Sequence, residues 1–516
     1  MRWILFLLPI FLLANPSLDE VLDYPHTYYR DFWLTEYLKK SKNVQAENIY
    51  NEITYKKKYH LKLLANRYAP YKVIYDCKYV TKKNWIDVDS ECIVQNGFRL
   101  RDLKKMGDEE IKSLLNYIPD SKTKTEIEII FNKKYKKAFK GKDIFYDIFL
   151  KYTPDIEIPD IYINNIVNDK RFRYLLHKVV RSKKNNIKSS LLNIDYKMVN
   201  DRYKFDLALN AISLNRDNLA IKILKSKKYK KNRDKFWLYL LTKNRKYANE
   251  LLDNKRLDFY TLWIYEKFNK NYKLDQVKIF NQVDPKYNID NPLDVIKFYK
   301  DKSKTKDYFK FAKELDNQKE LPLKALILDK AFRYTKNYYI MPKYNLSDLN
   351  ISQKALFYAL ARQESRFIPA QTSRSYAIGL MQMMPFLIKS FHPKEDIESF
   401  FTAKVNVKYA KKHMNWLIKR LNNPLFVSYA YNGGIGFTKR KVMNYFKFKG
   451  EYEPFFSMEM VPYTESREYG KKVLTNYVIY KTLLGEKTTL HEVLKQEKKR
   501  KKIKVLYLFH IRNREL

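Results

Sequence analysis

Apolar residues recur at helical spacing through the first two thirds of the chain. In Asp206–Ser226, Leu207, Ile212, Leu219, Ile223 and Leu224 fall near one helical face. Phe236–Asp253 and Phe259–Phe268 repeat this look. From about Asn15 to Ile340 such short helices alternate with polar breaks. The pattern predicts a solenoid-like α-superhelix of degenerate repeats with no fixed period. Its aromatic stripes are read as core. The basic stretches Lys227–Lys235 and Asp301–Lys310 are read as solvated loops between helices. Met341–Asn350 holds Pro342 and the helix starters Ser347, Asp348 and Asn350. It reads as a linker (341–350) between the superhelical region (15–340) and a second helical domain (351–484).

Composition agrees with a mostly α fold. Only 10 of 516 residues are glycine, so turn punctuation is sparse. The formal net charge of +45 raises the question of nucleic acid. The charge is spread along the chain, however, and Lys, Asn, Tyr and Ile are overused together, as AT-rich coding produces. Nucleic acid is therefore not the expected partner.

The two ends carry signals of their own. Arg2 precedes an apolar run, Trp3–Ala14, that is shorter than the roughly 20 residues a spanning helix needs. It reads as a signal peptide (1–14) cleaved after Ala14, with Leu12 where a small residue is usual. The alternative is an uncleaved anchor. No Cys follows the run, which argues against a lipoprotein. Export would let the only cysteines, Cys77 and Cys92, form one disulfide; the alternative is two buried thiols. The segment 485–516 reads as a basic tail. It is either flexible or an electrostatic contact with an anionic polymer or lipid surface, and Val505–Phe509 can pack back on the second domain.

The sharpest chemical signal lies in Ser352–Phe367. Leu356, Leu360 and Glu364 recur every fourth residue and stack on one face. A carboxylate on an apolar stripe has its pKa raised by desolvation, and such an acid can protonate a glycosidic oxygen. Arg362 and Arg366 are near in sequence but not at the i±4 spacing that favours a helical ion pair. No Asp or Glu occurs between Ser365 and Lys394 or between Ser399 and Gly450. Asp396 and Glu398 form an isolated acidic cluster, and Glu465 is the best-placed second carboxylate. At a helix start it is stabilised as the anion, which suits a substrate binder or an ion pair better than a second acid.

Four blocks in order carry a resemblance. They are Glu364–Ser365, Gly379–Gln382 (GLMQ), Ala430–Asn432 (AYN) and Pro462–Tyr469 (PYTESREY). Together they resemble the signature of the soluble lytic transglycosylases, whose catalytic domain is lysozyme-like and of the goose-type superfamily. The resemblance covers about a quarter of the chain, Asn345 to Leu484. It implies an α-superhelical ring on which the catalytic domain sits. It also implies that Glu364 is catalytic and that Ser373, Met381, Gln382, Tyr431, Asn432 and Glu465 contact substrate. The Tyr431 hydroxyl would bond Glu364 or the intermediate. The family stretch S-x-x-G-A-x-G reads SRSYAIG here, so Tyr376 replaces a small residue and alters the local expectation.

The implied reaction cleaves the β-1,4 bond between N-acetylmuramic acid and N-acetylglucosamine in peptidoglycan and leaves a 1,6-anhydro ring. Glu364 acts first as acid and then as base, and neither metal nor cofactor is expected. Partners would be glycan strands and other cell-wall enzymes, in the periplasm of a Gram-negative bacterium. The rival readings are a goose-type lysozyme that hydrolyses the same bond, a non-catalytic wall-binding scaffold, and a nucleic-acid binder.

Overall fold

Helix hairpins build most of the molecule. The computed structural model describes residues 15–444, 446 and 450–495. The expected signal segment and Val505–Phe509 lie outside the described residues. Among those described, the backbone is almost wholly helical, and the only β pairings are three isolated bridges. Asp201–Ser213 folds back on Asp217–Lys225, and Asn232–Thr242 is followed by Arg245–Leu252. The reversals turn on Asn215 and Lys243, at φ of 58° and 55°. Asparagine tolerates this left-handed backbone better than most residues.

Two basic stretches differ from the loops expected of them. A helix starts at Asn232, and the buried Lys227 Nζ lies 2.5 Å from Oδ2 of the buried Asp234. A charge leaves water only when it is paired. In Asp301–Lys310 the break is only residues 305–307, because Pro292–Lys304 runs through and Asp307 caps Tyr308–Glu314. Its carboxylate accepts from the N–H groups of Phe309 and Lys310, both at 2.9 Å.

One continuous apolar core reaches from Val21 to Leu494. A second, smaller core gathers 11 buried side chains from Val80 to Ile127. A Cys77–Cys92 disulfide ties its edge, with Cα atoms 4.9 Å apart. So small a core is marginal alone, and cross-linking stabilises it by restricting the unfolded chain.

The second domain is built on three helices. Ile351–Glu364 and Pro424–Gly433 both pack against Thr464–Leu483. Gly470 permits the second contact, since a Cβ there would lie 2.3 Å from the Tyr429 ring. The 341–350 connection is packed: Leu346 and Leu349 are buried and the Tyr344 ring meets Phe357. The start of the expected tail is packed as well. Leu490, Val493 and Leu494 are buried, the Leu490 N–H donates to Glu266 Oε2 at 2.8 Å, and His491 stacks on Trp263. Apolar residues at 490, 493 and 494 give this turn a buried face, so the solvated tail cannot begin at 485.

Both ends of the superhelical region grip this domain, so the region curls around it. Near the start, Tyr29 donates to Glu398 Oε1 at 2.9 Å, and the Tyr376 hydroxyl meets His60 Nε2 at 3.1 Å. Near the end, Arg366 pairs with Asp329, and the Ala370 N–H donates to the Ile289 carbonyl at 3.0 Å. Between them, Tyr260 donates to Glu459 Oε1 at 2.7 Å. Burial alone would raise the Glu459 carboxyl, but Lys471, Arg233 and Arg467 pull it to about 2. Tyr376, at φ 64°, turns inward as part of this grip.

Candidate active site

Glu364 is the last residue of Ile351–Glu364. An Asn350 cap with Gln353 starts this helix, and Leu356 and Leu360 bury its apolar face. After Ser365 the chain reverses through two left-handed residues, Arg366 and Phe367, at φ of 58° and 68°. Phe367 is 1% exposed, so packing offsets the strain of that backbone. The turn leaves Glu364 half-buried at the end of its helix.

Neither neighbouring arginine takes the acid. Arg366 pairs with Asp329, and the Arg362 guanidinium rests on the Tyr339 ring, 4.0 Å from its centre. The partner of Glu364 is Tyr469, whose hydroxyl donates to Oε1 at 2.5 Å. Desolvation raises the Glu364 carboxyl to about 8, with the Glu465 charge adding to it and the Tyr469 hydrogen bond opposing it. Burial and the nearby Glu364 hold both Tyr431 and Tyr469 well above the ordinary phenol value, so both stay protonated donors.

The GLMQ block forms a tight turn beside the acid. Gly379 has φ 85°, and a Cβ there would lie 1.9 Å from Asn406 Nδ2 and 2.4 Å from the Phe400 carbonyl. Asn406 holds the turn: its Oδ1 accepts from the Met381 N–H at 2.9 Å, and its Nδ2 donates to the Phe400 and Ile378 carbonyls. Gln382 donates to the carbonyls of Gln371 and Gly379, and Gln371 donates to the Ser365 carbonyl. Gln382 is thereby tied to the residue that follows the acid. Ser373 Oγ accepts from the N–H groups of Ser375 and Ala377, which shapes the approach to this turn.

Two expectations are corrected. Met381 is 0% exposed, so its side chain is core and offers no surface to a sugar. Tyr431 donates to the Met381 carbonyl at 2.9 Å rather than to Glu364, and so satisfies a carbonyl that has no helical partner. Asn432 and Glu465 do come together: Asn432 Nδ2 donates to Glu465 Oε1 at 3.0 Å, and Ser466 Oγ donates to Asn432 Oδ1 at 2.7 Å. Glu465 stays exposed in the first turn of Thr464–Leu483. Tyr469 was not singled out from sequence. Its spacing of four from Glu465 on one helix is the signal that could have found it.

The arrangement is one raised carboxylic acid with a phenol donor, beside a polar wall of Gln382, Asn432 and Glu465. It can give a proton to a bound oxygen and take one back. Fold and site together define an α-superhelical region joined to a second helical domain that holds one raised carboxyl beside a phenol. Residues 346–453 match the family model described as the transglycosylase SLT domain. The soluble lytic murein transglycosylase of Escherichia coli (strain K12) is 30% identical over 142 residues, 26% of this chain and 21% of that protein. A putative soluble lytic murein transglycosylase of Haemophilus influenzae is 30% identical over 148 residues, 28% and 24% of the two chains. The aligned part thus spans about a fifth to a quarter of these curated relatives. Beyond it the likeness is one of fold. The X-ray structure of an inactive mutant of lytic transglycosylase Slt from Pseudomonas aeruginosa superposes with a TM-score of 0.51 at 13% identity, covering 90% of this chain and 80% of that one.

Proposed function

We propose that this protein is a peptidoglycan lytic transglycosylase that works through the single acid Glu364. The observation that carries the reading is the Glu364 carboxyl, raised to about 8 on a half-buried residue and held by one phenol. At neutral pH it is protonated and ready to donate. It protonates the oxygen between N-acetylmuramic acid and N-acetylglucosamine. The 2-acetamido group of the muramyl sugar stabilises the oxocarbenium-like centre in place of a carboxylate nucleophile. Glu364, now the anion, removes the C6 hydroxyl proton, and the oxygen closes a 1,6-anhydro ring. Tyr469 steadies the anion between these two steps. Gln382, Asn432, Glu465 and Ser373 bind the sugars and their acetamido groups; Tyr431 acts by holding the Met381 carbonyl in place. The superhelical region 15–340 seats the domain 351–484 and guides the polymer, and the site of action is the periplasm.

Purified wall sacculi test the reading. The wild-type protein should clear them, and Glu364→Gln should lose at least 1,000-fold in rate, on the order expected for loss of a general acid that also serves as base. A Glu364→Gln protein that clears wall at the wild-type rate would reject it.

A further inference from the structure

The helix Ala403–Leu421 has an outer face that the mechanism leaves unused. Its buried Asn406 points inward, to the turn at Gly379. On the opposite side, three, four or seven residues apart, stand Lys404, Lys408, Lys411, Lys412 and Lys419. The row is roughly 22 Å long at the rise of an α-helix. Its first four lysines, with Lys343 from the preceding connection, line a groove of about 600 Å³. One carboxylate lines that groove, Asp348, and it pairs with Lys411 at 2.6 Å. Glu395 pairs with Lys408, also at 2.6 Å. Among the described residues, Lys343, Lys404, Lys412 and Lys419 are exposed and make no ion pair. Helices elsewhere set lysines beside acids three or four residues away, as in Lys72–Asp76, Lys112–Glu109 and Lys124–Asp120. Ala403–Leu421 holds no Asp or Glu at all. Its row of like charges repels itself unless an anionic surface faces it.

Apolar neighbours select the kind of surface. Trp416 is 38% exposed at the edge of the row. Met341, two residues before Lys343, and Ile351, two before the Gln353 that bonds Asn415, are exposed as well. Cations beside scattered exposed apolar side chains suit a bilayer boundary. Lysines there meet headgroup phosphates, and tryptophan rests at headgroup depth. Single-stranded nucleic acid would need open aromatic faces for its bases. The Trp416 ring is already engaged, with the Arg420 guanidinium 4.0 Å from its centre and His413 stacked beside it. Position fits the same choice. Gln353 and Glu364 lie near opposite ends of one helix, roughly 16 Å apart. A surface seated at the Gln353 end leaves the acid open to its substrate.

We propose that this face docks on an anionic phospholipid bilayer, with Lys404, Lys412 and Lys419 meeting headgroup phosphates and Trp416 resting among them.

Sedimentation of the full chain with lipid vesicles tests it. Wild type should bind vesicles of equal parts phosphatidylglycerol and phosphatidylcholine. Lys404→Glu/Lys412→Glu/Lys419→Glu should bind them at least tenfold more weakly, since each lysine near such a surface is worth about fivefold. Salt at about 1 M, where the screening length is roughly 3 Å, should release wild type. The control Lys134→Glu/Lys136→Glu/Lys137→Glu makes the same charge change on exposed side chains of another region. It should stay within about twofold of wild type, because charges far from the contact are screened. Both variants keep residues 485–516, so the basic tail cannot separate them. Equal binding by wild type and the helix variant would overturn the proposal. An equal loss in the control would overturn it too, by reducing the effect to net charge. So would displacement of wild type from vesicles by duplex DNA at matched phosphate concentration. Soluble wall fragments should be cleaved alike by wild type and the helix variant, since the row faces away from the Gly379 turn. A loss of that cleavage would assign the row to the substrate cleft and overturn the proposal, whereas the Glu364→Gln result stands whichever way the vesicles read.

Discussion

The Tyr469 hydroxyl donates to Oε1 of Glu364 at 2.5 Å, across the contact between Ile351–Glu364 and Thr464–Leu483. This bond favours the ionised acid, while burial favours the neutral one. Burial wins, and the carboxyl ends near 8. Tyr469→Phe should therefore shift the alkaline limb of kcat/KM above pH 8. It should also cost about 10–100-fold in kcat, because the anion formed between the two proton transfers loses its donor. A pH–rate profile of wild type and variant reads both effects. An alkaline limb that stays in place would remove Tyr469 from the site.

The same carboxyl links pH to folding. Unfolded, it ionises near 4.5; folded, near 8. Between these values the folded state holds the extra proton, so stability falls as pH rises through this window and is flat outside it. Glu364→Gln removes the titration. The variant should gain roughly 2 kcal/mol over wild type at pH 8 and little at pH 4, allowing for the acid's partial exposure to water. Thermal melts across pH 4–9 check the divergence.

Gly379→Ala should be severe. The new Cβ would meet Asn406 and the Phe400 carbonyl in a backbone at φ 85°. Neither neighbour is the free end of a flexible chain, so the turn that carries Met381 and Gln382 must move. About 3 kcal/mol or more of stability should go, read by urea denaturation, together with wall cleavage.

The disulfide should protect only its own region. Cys77→Ser/Cys92→Ser opens a loop whose ends are 15 residues apart, and loss of about 3 kcal/mol is expected in the small core it ties. Hydrogen exchange should rise between residues 77 and 131 and remain unchanged around Glu364, since the two cores are separate clusters.

Much of this architecture was legible in the chain. Helical periodicity marked the α-superhelix, and the stripe Leu356–Leu360–Glu364 marked the acid. What escaped was tertiary. Asn215 and Lys243 turn hairpins without glycine or proline, so the breaks carried no punctuation. Lys227 read as solvated because its partner, Asp234, meets it only once the next helix forms. Met381 read as cleft floor, but its N–H is taken by the Asn406 amide and its side chain is buried in the core. Tyr469 stood inside a recognised block with its role unread, since a phenol becomes the acid's partner only when two helices distant in sequence pack. Tyr376, a departure from the expected motif, proved to be where the domain meets His60.

Mass spectrometry of muropeptides released from purified wall tests the central claim most directly. Glu364 working alone as acid and then base predicts 1,6-anhydro-muramyl ends, lighter than hydrolysis products by one water, and no release by Glu364→Gln. Reducing muramyl ends from the wild-type protein would contradict it, since they require an activated water that this account does not supply.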